Sequence, residues 1–316
     1  MPAPAPPPLR PAPTRREALV QALALSCTSP GILAAARRLP PRGAAMRFGL
    51  VTWMWGADYA LPDLLQVCER TGIKGLELRT TQLHGVERDL GAAARAQVKA
   101  RFAAAPVELV GIGSDERFDD PDPAKLEAAI QASLAFLQLS HDVGGSGVKV
   151  KPDSFHAGVP RERTIEQIGR SLNKLGRRAD DLGQQVRLEV HGQCAELPTI
   201  HAILQVADHP SVVVCWNSNA QDLAGAGLAH NFELVRARLG DTLHARDFTA
   251  EPYPYPELFT RLVAADWQGW VLLEAHPPVP PRDEREAALL AQRQAFETLR
   301  AKVLEPAAVS GGRLLP

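Results

Sequence analysis

The sequence has few cysteines, and no two of them form a closely spaced pair. Only four occur in 316 residues, and there is no CxxC motif. Zinc knuckles and disulfide frameworks depend on such spacings, so neither kind of site is indicated. The fold must therefore be held by an apolar core, and a hydrophobic content of 45% is sufficient to build one.

An excess of charge of one sign is missing, and so are long apolar runs. The formal net charge is −1, and no stretch reaches the roughly 18 apolar residues of a membrane helix. Nucleic acids and anionic membranes are bound through a surplus of Lys and Arg, which this sequence lacks. We therefore expect no nucleic-acid partner and no membrane span, and we look for a small-molecule ligand.

The first 45 residues differ in composition from the rest of the chain. Residues 1–13 are rich in Pro and Ala, and the segment TRREAL at 14–19 precedes a moderately apolar stretch. Paired arginines ahead of a weak hydrophobic segment resemble a twin-arginine export signal, although Ala18 stands at the usual Phe position. We predict a leader over residues 1–45 and an exported protein. An amphipathic N-terminal helix or a mis-called start codon is the alternative, and translation from Met46 would indicate a cytoplasmic protein. Residues 306–316 are expected to form a disordered tail.

Strand-like segments alternate with helical segments between residues 46 and 305. Eight such pairs can be recognised, from a first strand at Arg47 to a last helix after Glu274. This alternation predicts βαβ units with a parallel sheet, and eight units in about 260 residues indicate a single α/β domain, a (β/α)8 TIM barrel. The third strand is expected to end at Ile112, before a polar loop around Asp115 and Asp119.

One oxygen- or nitrogen-bearing side chain ends each of the last four predicted strands. In chain order these side chains are Glu189, Asn217, His244 and Glu274. In a barrel of this kind the functional groups lie where strands end and the following loops begin. A carboxylate and an imidazole are costly to bury at such positions unless they bind something. The four residues are therefore the main candidates for a functional site.

The motifs at these strand ends resemble those of the sugar phosphate isomerase/epimerase superfamily, the xylose isomerase-like TIM barrels. They read Leu-Glu-Val-His, Cys-Trp-Asn-Ser-Asn, His-Ala-Arg-Asp and Leu-Leu-Glu, and the resemblance extends from about residue 46 to about residue 300. It implies one divalent metal bound by Glu, Asp, His and Glu on these strands, at the positions of Glu189, Asn217, His244 and Glu274. Asn217 departs from the family's Asp, and an amide ligand without charge should weaken metal binding.

The resemblance also implies a chemistry. A set of carboxylate, amide and imidazole ligands suits Mn²⁺, Mg²⁺, Co²⁺ or Zn²⁺. Such an ion polarises a ketone and the neighbouring hydroxyl of a sugar, and stabilises the ene-diolate formed when the α-proton leaves. Glu189 and Glu274 are implied as the acid/base groups as well as ligands. We expect reversible isomerisation or epimerisation of a keto-sugar.

Further residues near the predicted strand ends are candidates for binding the sugar. For some of them a structural role is the alternative: His191 would cap its strand, Arg246 would pair with Asp247, and Trp53 would pack in the core rather than stack on a sugar ring. Glu77, and Lys149 with Lys151 on the same strand face, would instead point to solvent. The candidates are Trp53, Glu77, Lys149, His191, Asn219 and Arg246.

Other functions remain open. A non-catalytic sugar-binding barrel with a degenerate metal site is supported by Asn217. A lyase or hydrolase acting on an oxidised sugar would also begin with α-proton removal. An apurinic endonuclease of this fold would need a three-metal cluster with more histidine ligands and a basic face, and the sequence offers neither. A homo-oligomer is compatible with an isomerase of this kind, although the sequence identifies no interface.

Overall fold

The computed structural model describes residues 45–248, 253–275 and 277–305, and in these residues eight β-strands alternate with eight α-helices. The strands are β1 Arg47–Val51, β2 Gly75–Arg79, β3 Glu108–Arg117, β4 Gly147–Lys151, β5 Gln185–Glu189, β6 Val212–Asn217, β7 Leu239–Ala245 and β8 Trp270–Leu273. The helices are α1 Leu61–Thr71, α2 Ala92–Ala103, α3 Pro123–Val143, α4 Arg161–Asp181, α5 Leu197–Val206, α6 Gly227–Val235, α7 Tyr255–Ala264 and α8 Arg285–Leu304.

All eight strands are parallel and pair in chain order, and β8 pairs with β1 to close the barrel. The predicted (β/α)8 barrel is therefore confirmed. The predicted leader, except for its last residue, and the predicted tail at 306–316 lie outside the described residues and stay predictions. Within the part of the chain that is described, no helix is long and apolar enough to cross a membrane.

Alternation along the strands separates two apolar layers. Outward-facing residues such as Leu76 and Leu188 belong to the main core, which also contains helix residues such as Leu172. Trp270 and Leu272 belong to a separate smaller cluster with residues of β1 and β3. Because side chains two apart point the same way, the strand face that carries Trp270 and Leu272 continues upward to Glu274. The barrel interior thus carries apolar side chains on β8, the buried Arg187 on β5, whose Nη1 donates to Val110 O, and polar side chains at its C-terminal mouth.

Strand β3 is longer than the sequence indicated. The predicted end at Ile112 is wrong, because β3 continues through the polar residues to Arg117, which pairs with Lys151 of β4. Ser114 Oγ donates a hydrogen bond of 2.7 Å to Lys149 O, which ties the two strands together where the apolar pattern has ended. The extension places Asp115 and Arg117 at the barrel mouth instead of in a separate loop.

Candidate metal centre and active site

The last four strands bring their polar end residues together at the C-terminal mouth of the barrel. Glu189 and Asn217 end β5 and β6, His244 lies next to the end of β7, and Glu274 follows β8. His244 Nδ1 lies 3.4 Å from Glu189 Oε1 and 3.7 Å from Glu274 Oε1. One ligand atom from each of these three residues lies within 4.8 Å of the others.

This arrangement fits a divalent cation. His244 Nδ1 is buried and has no hydrogen-bond partner among the described residues, although two carboxylates face it. A buried polar atom left without a partner costs free energy that a bound ion would recover. One imidazole nitrogen with two carboxylate oxygens is a common ligand set for Zn²⁺ and related ions. The residues that would hold the ion are Glu189, His244 and Glu274.

Asn217 lies beside these three groups and contacts one of them directly. Its Nδ2 donates a hydrogen bond of 3.0 Å to Glu189 Oε1. The amide therefore helps to orient the carboxylate that faces His244. The role of Asn217 as a fourth metal ligand stays a prediction.

Lys149 forms an ion pair with Glu189 at the floor of the cavity. Its Nζ lies 2.8 Å from Glu189 Oε2 and donates to Ser114 O at 3.1 Å. Burial opposes both charges, but their attraction outweighs it, so that the pKa of Glu189 falls well below its usual range and the pKa of Lys149 rises. Glu189 is therefore a fixed negative charge in the floor of the site.

Glu77 orients the imidazole of His244 from below. Its Oε1 lies 3.0 Å from His244 Nε2. A Cβ at Gly113 would lie 2.9 Å from Glu77 Oε1, so the glycine on β3 leaves room for this carboxylate. The Glu77 contact holds Nδ1 toward Glu189 and Glu274, as outer hydrogen bonds commonly do for metal-binding histidines.

A polar cavity of about 370 Å³ opens above these groups. This volume is in the usual range for small-molecule sites, roughly 300–1,000 Å³. Glu77 is fully buried, and the alternative that Glu77 and Lys149 face solvent is wrong. Whether the lining residues bind a sugar stays a prediction. Those considered from the sequence that line the cavity are Trp53, Lys149, Lys151, His191, Asn217, Asn219, Arg246 and Glu274.

The predicted sugar-binding residues are held by contacts at the rim. Trp53 is 45% exposed, so core packing of this ring is wrong. The Nδ1 atom of His191 lies 2.7 Å from Asp153 Oδ1. Arg246 Nη2 donates a hydrogen bond of 3.0 Å to Asn219 Oδ1. These contacts hold polar groups toward the cavity from several neighbouring loops.

Three charged residues that line the cavity were missed by the sequence interpretation, namely Arg79, Asp115 and Arg117. Arg79 shares its strand face with Glu77, so the period of two could have indicated it. Asp115 and Arg117 were assigned to a loop, because the end of β3 carries no apolar alternation.

Comparison with known proteins identifies the family. The model that describes the xylose isomerase-like TIM barrel matches residues 65–297. The chain belongs to the xylose isomerase-like TIM barrel family. No curated protein matches the chain by sequence. The family resemblance stated from the strand-end motifs is thereby confirmed.

Solved structures of similar fold include sugar epimerases and a protein with a bound zinc atom. A structure of L-ribulose 3-epimerase is 14% identical, with a TM-score of 0.71, and the match covers 86% of this chain and 100% of the other. The 3-keto-D-glucoside 4-epimerase of E. coli is 17% identical, with a TM-score of 0.66 and coverages of 81% and 99%. The IolI protein with a bound zinc atom is 14% identical, with a TM-score of 0.68 and coverages of 83% and 100%. At these identities the similarity shows the fold.

Proposed function

We propose that the protein is a metal-dependent enzyme that isomerises or epimerises a keto-sugar by removing the proton next to the carbonyl. The observation that carries this proposal is the convergence of Glu189, His244 and Glu274 on one point beneath a polar cavity. Membership of the xylose isomerase-like family supports a carbohydrate substrate, and so do the sugar epimerases among the similar structures.

A divalent ion held by Glu189, His244 and Glu274 would supply polarisation of the substrate carbonyl and its neighbouring hydroxyl. Glu274 lines the cavity and its side chain is 16% exposed, so its carboxylate can reach a substrate proton. Glu189 is fully buried and paired with Lys149, which makes it better placed to bind the ion than to meet the sugar. Glu274 is therefore the first of the two predicted acid/base groups to test.

After Glu274 has taken the proton, the substrate can be reprotonated in two ways. Return of the proton to the adjacent carbonyl carbon, with the hydroxyl proton of the original carbon passing to the carbonyl oxygen, converts a ketose into an aldose. For epimerisation Glu274 keeps the proton, and a second group on the opposite face donates another proton to the original carbon, which inverts it. The rim residues His191 and Arg246 would hold sugar hydroxyls, and the exposed ring of Trp53 would cover an apolar face of the sugar.

The test is an exchange experiment in deuterium oxide. The protein loaded with Mn²⁺ is incubated with a panel of keto-sugars, and NMR follows deuterium at the carbon next to the carbonyl. We expect incorporation that is lost in Glu274→Gln and kept in Glu162→Gln, an exposed position on α4. Conversion of a sugar without any exchange would instead indicate a hydride shift or another reaction.

A sugar-binding barrel without catalysis is the second candidate. The donor contact from Asn217 to Glu189 and the ion pair with Lys149 both reduce the negative charge available to a metal. Saturable binding of a sugar with no isotope exchange, in the presence of each candidate metal, would favour this function.

A further inference from the structure

Two largely buried cations at the ends of β2 and β4 share one carboxylate oxygen. Arg79 Nη2 lies 2.8 Å from Asp115 Oδ1, and Lys151 Nζ lies 2.9 Å from the same atom. The two cationic residues are 8% and 9% exposed, whereas the Asp115 side chain is 44% exposed. Arg117 lies 3.4 Å from Asp115 but pairs more closely, at 2.9 Å, with Asp153. Arg79 and Lys151 therefore form a cationic pair with one carboxylate between them.

One carboxylate is a poor match for this pair. A guanidinium has five N–H donors and an ammonium has three, and buried charges are costly unless they are well paired. Arg79 also donates to Thr80 Oγ1 at 2.7 Å, but that hydroxyl brings no negative charge. Burial opposes ionisation of Asp115, while Lys151 and Arg79 outweigh it and lower the pKa of the carboxyl. The pair thus holds an anion already and has charge and donors to hold another.

The cationic pair and the candidate metal centre belong to the same cavity. Arg79, Asp115 and Lys151 line it at the ends of β2, β3 and β4, and Glu274 lines it after β8. A ligand in this cavity therefore meets the cationic pair on one side and the predicted acid/base group on the other. Since the strands close into a barrel in chain order, β2–β4 and β5–β8 are separate arcs of one mouth.

We propose that the substrate carries an anionic group, a carboxylate or a phosphate ester, which Arg79 and Lys151 bind while the carbonyl end lies at Glu274. The assignment of the carbonyl end rests on the proposed function. Binding of the anionic end rests only on the contacts of Arg79, Asp115 and Lys151. A neutral sugar would place hydroxyls against the two cations and would gain less, because hydrogen bonds between charged groups are the stronger ones.

The first experiment compares substrates that differ in one group. Exchange in deuterium oxide is measured with D-fructose, D-fructose 6-phosphate and D-fructuronate at fixed ionic strength. We expect kcat/KM for one of the two anionic sugars to exceed that for D-fructose by about 10- to 100-fold. The preferred one identifies phosphate or carboxylate as the group bound. Lys151→Met should lower this ratio to near one, while Lys174→Met, an exposed lysine on α4, should preserve it.

The second experiment needs no catalysis. Calorimetry measures binding of inorganic phosphate, D-glucuronate and D-glucose to the wild type, Lys151→Met and Asp115→Asn. We expect an anion to bind the wild type, to be lost in Lys151→Met, and to bind Asp115→Asn about tenfold more tightly because the internal competitor is gone. The Asp115→Asn arm stays informative if Lys151→Met fails to fold.

The two experiments separate the two proposals. Lys151-dependent anion binding without exchange on any sugar would reject the proposed function and keep the anion site. If kcat/KM for exchange were equal on neutral and anionic sugars, and Lys151→Met left the ratio of these two values unchanged, the anion site would be overturned and the proposed function kept. Absence of anion binding to both the wild type and Asp115→Asn would also overturn the anion site.

Discussion

The two arcs of the barrel mouth handle charge in different ways. At the ends of β5–β8, Glu189 and His244 are fully buried and each has fixed charged neighbours. At the ends of β2–β4, Arg79 and Lys151 share a half-exposed Asp115. A set of charges held in place by buried partners is suited to bind an ion and to act on a developing charge without rearrangement. A set with an exposed, shared partner is suited to receive a charged group from a ligand.

Strand β4 supplies a cation to each of the two sets of charges. Lys149 points to Glu189, and Lys151, two residues further along the same face, points to Asp115. A rise of about 3.3 Å per residue places these lysines about 7 Å apart along the strand. The same face of β4 thus contacts the buried charges deep in the mouth through Lys149 and the exposed carboxylate at the rim through Lys151.

The largest expected effect tests which arc performs the chemistry. Glu274→Gln keeps the shape of the side chain but removes both the base and one charged ligand of the ion, so we expect the exchange rate to fall by about 10²- to 10⁴-fold. The measurement is kcat for deuterium incorporation at saturating Mn²⁺, with Glu162→Gln as the control. If the exchange rate fell less in Glu274→Gln than in Arg79→Gln, this would contradict the assignment of catalysis to the β5–β8 arc and of ligand binding to the β2–β4 arc.

The next effect is on stability. Lys149→Met removes the cation from a fully buried pair and leaves Glu189 charged and without its ion partner. We expect a loss of about 3–5 kcal/mol in the free energy of unfolding, measured by urea denaturation. The double variant Lys149→Met with Glu189→Gln should recover part of this loss. If Lys149→Met lowered the free energy of unfolding no more than Lys174→Met does, the ion pair of Lys149 and Glu189 would not contribute to stability.

Asp222 is a buried carboxyl whose hydrogen-bond partners are neutral, in contrast to Glu189, which pairs with the cation of Lys149. Burial raises the pKa of Asp222 to about 7, although hydrogen bonds from Tyr253 Oη and Asn219 N oppose the rise. The folded protein therefore binds the Asp222 proton more tightly than the unfolded chain does. The stability that this tighter proton binding contributes to the folded protein is fully present below the unfolded pKa, near pH 4, and is lost as pH rises through about 7.

The measurement is the free energy of unfolding at pH 5 and pH 8. We expect a decrease on the order of a few kcal/mol in the wild type between these values, and a smaller decrease in Asp222→Asn. Equal pH dependence in both proteins would contradict the raised pKa of Asp222.

The smallest expected effect concerns the residue that orients His244. Glu77→Gln weakens the contact to His244 Nε2 without touching the three groups that face the ion. We expect metal affinity to fall by about 10- to 100-fold, as is usual when an outer carboxylate is lost. Competition with a fluorescent chelator measures the affinity. Glu108→Gln, at the exposed start of β3, is the matched control and should bind metal as the wild type does.

The fold and the deep layer of the site could be predicted because both depend on local pattern. The repeated alternation of strand and helix indicates a closed barrel, and ligand-type residues at the strand ends place Glu189, His244 and Glu274 at one mouth. The parity of a strand is a property of the chain itself, so it can be predicted without knowing the neighbouring strands.

The rim could not be predicted in the same way. The last residues of β3 are polar on both faces, and they remain a strand because of pairing between Arg117 and Lys151 and the Ser114 contact to β4. Lys149 pairs with Glu189, and Lys151 with Asp115, because of how far along its own strand each residue lies relative to the neighbouring strands. This register is fixed when the strands pair in the barrel, and we did not predict it from the order of residues.

The central claim is that the β5–β8 arc holds a divalent ion through Glu189, His244 and Glu274. Elemental mass spectrometry of the protein purified without chelator, beside Glu189→Gln and Glu274→Gln, tests it most directly. We predict about one dication per chain in the wild type and a large loss in both variants. An ion content that is unchanged in both variants, or no ion in the wild type even after incubation with Mn²⁺ or Zn²⁺, would contradict it.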